Sequence, residues 1–302
     1  SNIVRKLIYN GQIVYALDNL SNSDYSNLEE FDQCRDQFFF YKADIRNKEA
    51  CDFLCGEVDY VLHQAALGSV PRSIEDPYDS SDNNITGFLN ILIASKEANV
   101  KKFVYASSGS VYGDDQNLPK IEDFIGNPLS PYAVTKQVNE MYAAVFNRVY
   151  SFDSVGLRYF NVYGPNQRFE GPYVTVIAMW CKSFIENQNP FINGDGETSR
   201  DFTYVEDVVD ANILAAKSDI KGSHVFNVGS GESITLNNLF DLMRNKFNKQ
   251  EIEPVYKDFR PGDIRRSLSD LTKIEKFLGY QTNYDIHTGL DRTIEWYKKK
   301  LK

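Results

Sequence analysis

The chain has 302 residues, 42% hydrophobic and 25% charged, which suits a folded globular protein of about two domains and excludes a disordered or fibrous one. Its net charge of −9 argues against a nucleic-acid surface and gives an anionic ligand no long-range attraction, so any phosphate needs local arginines. No apolar run approaches the roughly 18 residues of a membrane span, and Cys34, Cys51, Cys55 and Cys181, with three histidines and no completed Cys/His cluster, read as reduced thiols of a cytoplasmic protein without a metal.

In chain order, residues 3–9 place Ile3, Val4, Leu7 and Ile8 at helical spacing, and Asn10-Gly11 stops that helix. Strands are expected over residues 13–17, ending at Asp18-Asn19, and 38–41, ending at Asp44-Ile45. A short helix follows at 47–55, then a strand at 58–63 running into Gln64-Ala65-Ala66. One long helix is expected over about 82–98, a strand at 102–106 leading into Ser107-Ser108, a helix over about 131–149, and a strand at 154–160. Apolar strands alternating with helices predict an α/β fold with a doubly wound, Rossmann-like parallel sheet covered on both faces. Asp18-Asn19, Asp44-Ile45, His63 to Ala66, Ser107-Ser108 and Asn161 all fall at strand C-terminal ends, the edge where such sheets bind ligands. Asp18 is placed to take the ribose hydroxyls of NAD. No arginine within residues 19–23 would hold the extra phosphate of NADP.

The glycine-rich turn that belongs before the first helix is not in the sequence. A first, central strand and that turn are expected upstream of Ser1, and the chain without them is expected neither to fold stably nor to bind NAD. Tight NAD binding by this polypeptide would refute that expectation.

Ser130 to Lys136 reads as the start of the 131–149 helix, with Ser130 as N-cap and Pro131 in the first turn. Tyr132 and Lys136 are one turn apart on one face. A tyrosine acting as a base near neutrality needs its pKa lowered by roughly 3, about 4 kcal/mol. One positive charge at about 4 Å in an effective dielectric of about 20 supplies that much. The pair is a workable acid/base device, though four-residue spacing alone says little in a chain with 19 tyrosines.

The second half alternates less regularly. Residues 164–172 form a loop, followed by a helix over 173–187, a turn at 193–196, an extended stretch at 200–204, a helix at 206–217, a strand at 225–228, and helices near 235–247 and 286–300. This predicts a smaller C-terminal α/β lobe over the crevice. The boundaries are 1–165 for the NAD-binding domain, with 202–230 returning to it, and 166–302 for the substrate lobe. Arg200, Arg260, Arg265 and Arg266 lie in this half, and a diphosphate is best held by bidentate arginines.

Residues 59–73, 129–136, 156–164, 193–202 and 260–263 together carry a family resemblance. The chain resembles the extended short-chain dehydrogenase/reductases, and within them the nucleotide-sugar 4-epimerases, most closely the bacterial UDP-N-acetylglucosamine 4-epimerases of surface-polysaccharide synthesis. The resemblance implies Tyr132 as base, Lys136 as its partner and Ser108 as the hydroxyl bonded to the sugar 4-oxygen. It implies cofactor contacts at Asp18, Asn19, Asn22, Ser23, Asp44, Ile45, Gln64, Ala65, Ala66, Asn84, Ser107, Tyr132, Lys136 (on the nicotinamide ribose) and Tyr159. It implies substrate contacts at Gly68, Ser69, Ser110, Asn161, Thr175, Arg200, Arg260, Asp263 and Ser267, a UDP-sugar as substrate and a homodimer formed through helices 84–98 and 131–149.

Related 4,6-dehydratases have Thr-Asp-Glu where this chain has Ser108-Gly109-Ser110, and UDP-glucuronate decarboxylases have Glu at the Ser110 position. Without either carboxylate, epimerisation is the reading. Ser267 stands where strict UDP-galactose epimerases have a bulky tyrosine, which leaves room for an N-acetyl group. A UDP-glucuronate 4-epimerase is the nearest rival, with Arg168 as the residue to meet a uronate and Asn161 weighing against it; a UDP-glucose 4-epimerase is another. From a different class, a non-catalytic NAD-binding sensor shares the fold but commonly lacks the Tyr/Lys pair.

Overall fold

The computed structural model describes residues 1–169, 174–259 and 264–301. The chain opens with α1 (Asn2–Tyr9), β1 (Val14–Asp18) and β2 (Phe38–Lys42). β1 and β2 pair in parallel with Val14 opposite Phe38. Val4, Leu7 and Ile8 of α1 pack over Val14, Leu28, Phe31 and Phe38. Next come α2 (Lys48–Cys55), capped by Asn47 on the Ala50 N–H, and β3 (Tyr60–His63). They are followed by α3 (Val70–Glu75), α4 (Pro77–Ser81), one π turn (Asp82–Thr86) and α5 (Gly87–Glu97).

The single helix expected over 82–98 is therefore α5 alone, entered through a π turn and two short helices. Each short helix has its own side-chain cap, Ser69 on the Arg72 N–H and Asp76 on the Asp79 N–H, and a proline in its first turn. Such pieces are too short to show an apolar period.

β4 (Lys102–Ser108), α6 (Pro131–Tyr150) and β5 (Ser154–Tyr159) form the centre. Phe103, Val104, Tyr105, Val155 and Leu157 are all fully buried. Gly156 is needed there, because a Cβ would lie 2.6 Å from the Tyr105 ring of the neighbouring strand.

The second half contributes β6 (Asn161–Tyr163), α7 (Val176–Ile185), β7 (Phe191–Asn193), β8 (Ser199–Arg200) and β9 (Phe202–Tyr204). It continues with α8 (Val205–Lys217), β10 (Ser223–Val228), β11 (Ile234–Thr235), α9 (Leu236–Phe247), β12 (Val255–Lys257), α10 (Thr272–Leu278) and α11 (Ile286–Lys300). β10 pairs with β5, which completes a four-stranded parallel sheet in the order β10-β5-β4-β3. Val208, Ala211 and Ala215 of α8 pack on its face. A separate core of Trp180, Phe184, Phe240, Met243, Leu290 and Tyr297 holds the smaller lobe. β12 and α10, which the sequence reading left out, edge the lobe and the sheet: β12 pairs with β7, and Ile274 and Leu278 of α10 join the sheet core.

Among the described residues the β1–β2 pair and the four-stranded sheet are separate hydrogen-bonded units. β1 and β3 both wall the same cavity.

Candidate active site

One cavity of about 1580 Å³ runs from the gap between β1 and β3 to the C-terminal strand ends and the smaller lobe. Its walls include Asp18, Asn19, Asn22, Ser23 and Ile45 on one side and Gln64, Ala65, Ala66 and Gly68 beyond β3. Ser107, Ser108, Tyr132, Lys136 and Tyr159 form the inner wall, and Asn161, Thr175 and Arg200 come from the second half. These residues come from eight separated segments of the chain.

The inner wall is built by α6 against β4 and β5. Ser130 caps α6 through the Ala133 N–H at 3.2 Å, and Pro131 occupies its first turn, as the sequence predicts. The Tyr132 N–H, one of the donors a helix start leaves without an internal partner, donates to the Ser73 hydroxyl of α3 at 3.1 Å. Lys136 is 2% exposed, and its ammonium donates to the Ala106 carbonyl of β4 at 2.7 Å. It stands 5.9 Å from the centre of the Tyr132 ring. Burial pulls Lys136 down to about 8, against the opposing charge of Glu140. Burial also raises Tyr132, and the Ser108 side chain counters it by hydrogen bonding.

This corrects the sequence expectation. The lysine one turn on does not by itself bring the phenol down toward neutrality, because burial of both groups works against both charged forms. His63, enclosed by Phe88 and Phe103, is held neutral for the same reason, with its pKa lowered to about 3 by burial and by Lys136.

The opposite side suits a dinucleotide. α1 begins at the cavity, with Ser1 and Asn2 in the wall. Asp18 ends β1 exposed, with Oδ1 accepting from the Leu20 N–H at 2.8 Å. Asn19 donates to Asp44 at 2.8 Å, and Arg46 holds the Asp44 carboxyl well below the usual carboxylate range. Asp44 therefore fixes Asn19 from behind and is absent from the cavity wall. Apolar floor residues Leu17, Ile45, Ala65, Ala66 and Ala106 lie between the two polar ends. A carboxylate beyond a strand, a helix N-terminus and an apolar floor match ribose, phosphates and rings in that order.

Gln64, Tyr159 and Asn212 close a triangle: Tyr159 donates to Gln64 at 3.0 Å, Gln64 to Asn212 at 2.9 Å, and Asn212 to Tyr159 at 2.8 Å. Burial lifts Tyr159 to about 12, so it stays a neutral hydroxyl.

Several predicted residues act one layer back. Asn84 is 1% exposed, accepts from the Leu67 N–H, and donates to the Leu67 carbonyl and the Thr135 hydroxyl. It pins the loop after β3 to α6. Ser69 caps α3. The Ser110 N–H donates to Ser108 Oγ at 3.1 Å, while the Ser110 hydroxyl is buried with no partner among the described atoms. Ser267 pairs its N–H with the Ser199 carbonyl at 3.2 Å, beside Arg200 and away from the cavity wall. Arg260 and Asp263 lie outside the described residues. Arg265 is bidentate with Asp195 at 2.7 Å. Arg168 donates to the Asn22 carbonyl at 3.1 Å.

Other residues escaped the sequence reading. Asp201 is fully buried and accepts from the Ser230 N–H and hydroxyl, the Gly231 N–H, and the Ser269 N–H and hydroxyl. It fixes the strand that carries Arg200. Arg158 on β5 is 3% exposed and forks onto Glu140 at 2.9 and 2.8 Å. An arginine inside a buried strand was the available signal, since such a charge requires a carboxylate partner.

Residues 1–229 match a family model described as the NAD dependent epimerase/dehydratase family. The chain is 37% identical to a UDP-glucose 4-epimerase of Thermotoga maritima solved with UDP-glucose, over 99% of this chain and 95% of that one, with a TM-score of 0.93. It is also 37% identical to a UDP-N-acetylglucosamine 4-epimerase of Methanobrevibacter ruminantium in complex with UDP-N-acetylmuramic acid, over 99% and 94% of the two chains, with a TM-score of 0.93. A UDP-glucuronate 4-epimerase of Thermodesulfobacterium geofontis is 33% identical, over 98% of this chain and 92% of that protein.

Proposed function

The chain belongs to the NAD dependent epimerase/dehydratase family, and from that membership we propose that it is an NAD-dependent UDP-sugar 4-epimerase that interconverts UDP-N-acetylglucosamine and UDP-N-acetylgalactosamine. The observation that carries the reading is Ser108, Tyr132 and Lys136 on one cavity wall, with no carboxylate lining that wall among the described residues. The carboxylates that line the cavity among the described residues are Asp18, Glu57 and Asp59, on the β1 and β3 side. Dehydration or decarboxylation needs an acid or base near the sugar beyond the tyrosine, whereas epimerisation at carbon 4 needs one proton acceptor and a reversible hydride carrier.

When bound, NAD supplies that hydride carrier and a second positive charge beside the phenol. Tyr132 takes the 4-hydroxyl proton and later returns it, while Ser108 holds the same oxygen by a hydrogen bond. Lys136 stabilises the phenolate through its charge and is itself anchored on the Ala106 carbonyl. Arg200 and Asn161 grip the nucleotide while the oxidised sugar turns its other face inward. Binding energy far from the reacting carbon thus keeps the intermediate in place.

The N-acetylated sugar is favoured by small residues: Gly68 and Thr175 in the wall, Gly109 next to Ser108, and Ser267 beside β8. A uronate is disfavoured because Arg168 is engaged with the Asn22 carbonyl. Incubating the full-length gene product with NAD and UDP-N-acetylglucosamine, UDP-glucose or UDP-glucuronate in parallel, followed by proton NMR of the anomeric signals, tests the reading. Formation of the 4-epimer fastest from the acetylated substrate is expected. Turnover of the uronate alone, or of none, overturns it. Ser267→Tyr should lower kcat/KM on the acetylated pair by about tenfold or more while sparing UDP-glucose, the scale of a steric mismatch in a pocket; an unchanged ratio removes Ser267 as the gate.

The protein acts as a homodimer in this proposal. Val134, Met141, Val145 and Val149 form an exposed apolar stripe along α6, with Met141 66% exposed. Light scattering of the wild type and of Met141→Lys/Val145→Glu should read two chains and one chain respectively.

A further inference from the structure

We propose that Glu140 is a positioning residue that keeps Lys136 cationic and locks α6 onto β4 and β5 directly behind the reacting groups. It lies one turn beyond Lys136 on α6, and its carboxylate is shared between two strands. Glu140 Oε1 accepts from the Ser107 hydroxyl at 2.5 Å and from Arg158 Nε at 2.9 Å, and Oε2 accepts from Arg158 Nη2 at 2.8 Å. Ser107 is the neighbour of Ser108, so the contact that fixes the Glu140 carboxylate also fixes the strand bearing the substrate hydroxyl. Arg158 is held from its other sides as well: Nη1 donates to the Glu122 carbonyl at 2.9 Å, and the guanidinium lies 5.0 Å from the Tyr112 ring.

The arrangement balances two buried cations, Lys136 and Arg158, on one carboxylate. Lys136 shares the cavity wall with His63 on β3, Tyr159 on β5 and Tyr132 on its own helix, and Glu140 stands one turn on, with Tyr105 on β4 and Arg158 on β5 beside it. At the start of α6, the charges of α3 and α4 include Glu75 and the Arg72–Asp79 pair, whose partners are 2.9 Å apart. Lys102 of β4 is turned to the Ile220 carbonyl at the far end of the strand. Burial favours the neutral amine, and the Glu140 charge is what opposes it. Without that charge, the burial that favours the neutral amine would go unopposed, and the cation meant to stabilise the Tyr132 phenolate would be lost near neutral pH.

The inference rests on reading Lys136 as the partner of the Tyr132 base, but its test does not require turnover. Lysine side chains labelled with carbon-13 at Cε are titrated by NMR, with the Lys136 signal identified by its loss in Lys136→Arg. The wild type should titrate near pH 8. Glu140→Gln should lower the midpoint by about one to two pH units, and Glu140→Asp, which keeps the charge, should restore most of the difference. If Glu140→Gln does not fold, Glu140→Gln/Arg158→Met decides. It removes both buried charges, and it should still titrate below the wild type because Glu140 is on the lysine's own helix face. A midpoint that stays at the wild-type value in whichever of these variants folds overturns the proposal and leaves Glu140 as a structural partner of Arg158. Failure of the epimerase reading shows separately, as a wild type that converts no UDP-sugar while its Lys136 titration is unchanged.

Discussion

The two sides of the cavity are built differently. Ser108, Tyr132 and Lys136 stand on or against the four-stranded sheet, where β4 is buried from Lys102 to Ser107 and each strand is paired along its length. Asp18, Asn19 and Ile45 stand on or beyond the β1–β2 pair, where Val14 and Phe38 are the buried strand residues and Asp18 and Phe39 are exposed. On the proposed mechanism, proton transfer tolerates little misplacement, and its groups sit where packing over-determines them. Gripping a ribose needs only hydrogen-bonding groups at a strand end. The difference teaches that chemistry and cofactor affinity are mounted on separable parts, and that substitutions should divide the same way.

The sharpest break of that division is Tyr132→Phe. It should lower kcat by about 10³-fold, the scale of losing a general base, while NAD binding by fluorescence titration changes less than about threefold. A variant with full cellular function would favour the non-catalytic sensor instead.

Next in size is the acid response of the continuous sheet. His63 is neutral when folded, with a pKa near 3, and protonates near 6.5 when unfolded. Between those values the unfolded chain binds the extra proton, so stability is complete above about pH 6.5 and falls as the pH drops toward 3. Urea titrations at pH 7 and pH 4 should differ by on the order of 3 kcal/mol from this group. His63→Phe, placed among Phe88 and Phe103, should flatten that difference; an equally steep loss in the variant means the acid sensitivity lies elsewhere.

The smallest effect belongs to the other side. Asp18→Asn should raise the Kd for NAD by about tenfold, as expected for one hydrogen bond to a charged group, with kcat at saturating NAD unchanged. A fall in kcat to match would show that the two parts are coupled after all.

Most of this site was legible in the sequence because it depends on strand ends and one helix start. Asp18, Gln64, Ser108 and Asn161 are visible as polar residues that stop apolar runs, and Ser130-Pro131 announces α6. Residues 70–81 were not legible, because two short proline-started helices bury too few residues to show a period. Nor were the roles of Asn84 and Asp44: both have the right chemistry to touch a ligand, but their atoms are spent on Leu67, Thr135, Asn19 and Arg46. The protonation behaviour of Tyr132 was misjudged for a related reason. Spacing reveals the neighbouring charge, while depth of burial is a property of the assembled fold.

Asp201 bears on how such a protein can change over time. Its carboxylate takes backbone N–H groups from Ser230, Gly231 and Ser269, along with two serine hydroxyls, so the segments it gathers are tethered chiefly by main chain. Main-chain tethers survive replacement of the side chains around them. On the proposal that Ser267 gates the sugar, its neighbourhood can therefore accept new residues, and the protein new sugars, with the mount intact. Gly229 is an exception, since a Cβ there would lie 2.0 Å from Ser269 Oγ and 2.7 Å from the Asp201 carboxylate. Drift in substrate preference should be cheap at the edges of this lobe and blocked at its anchor.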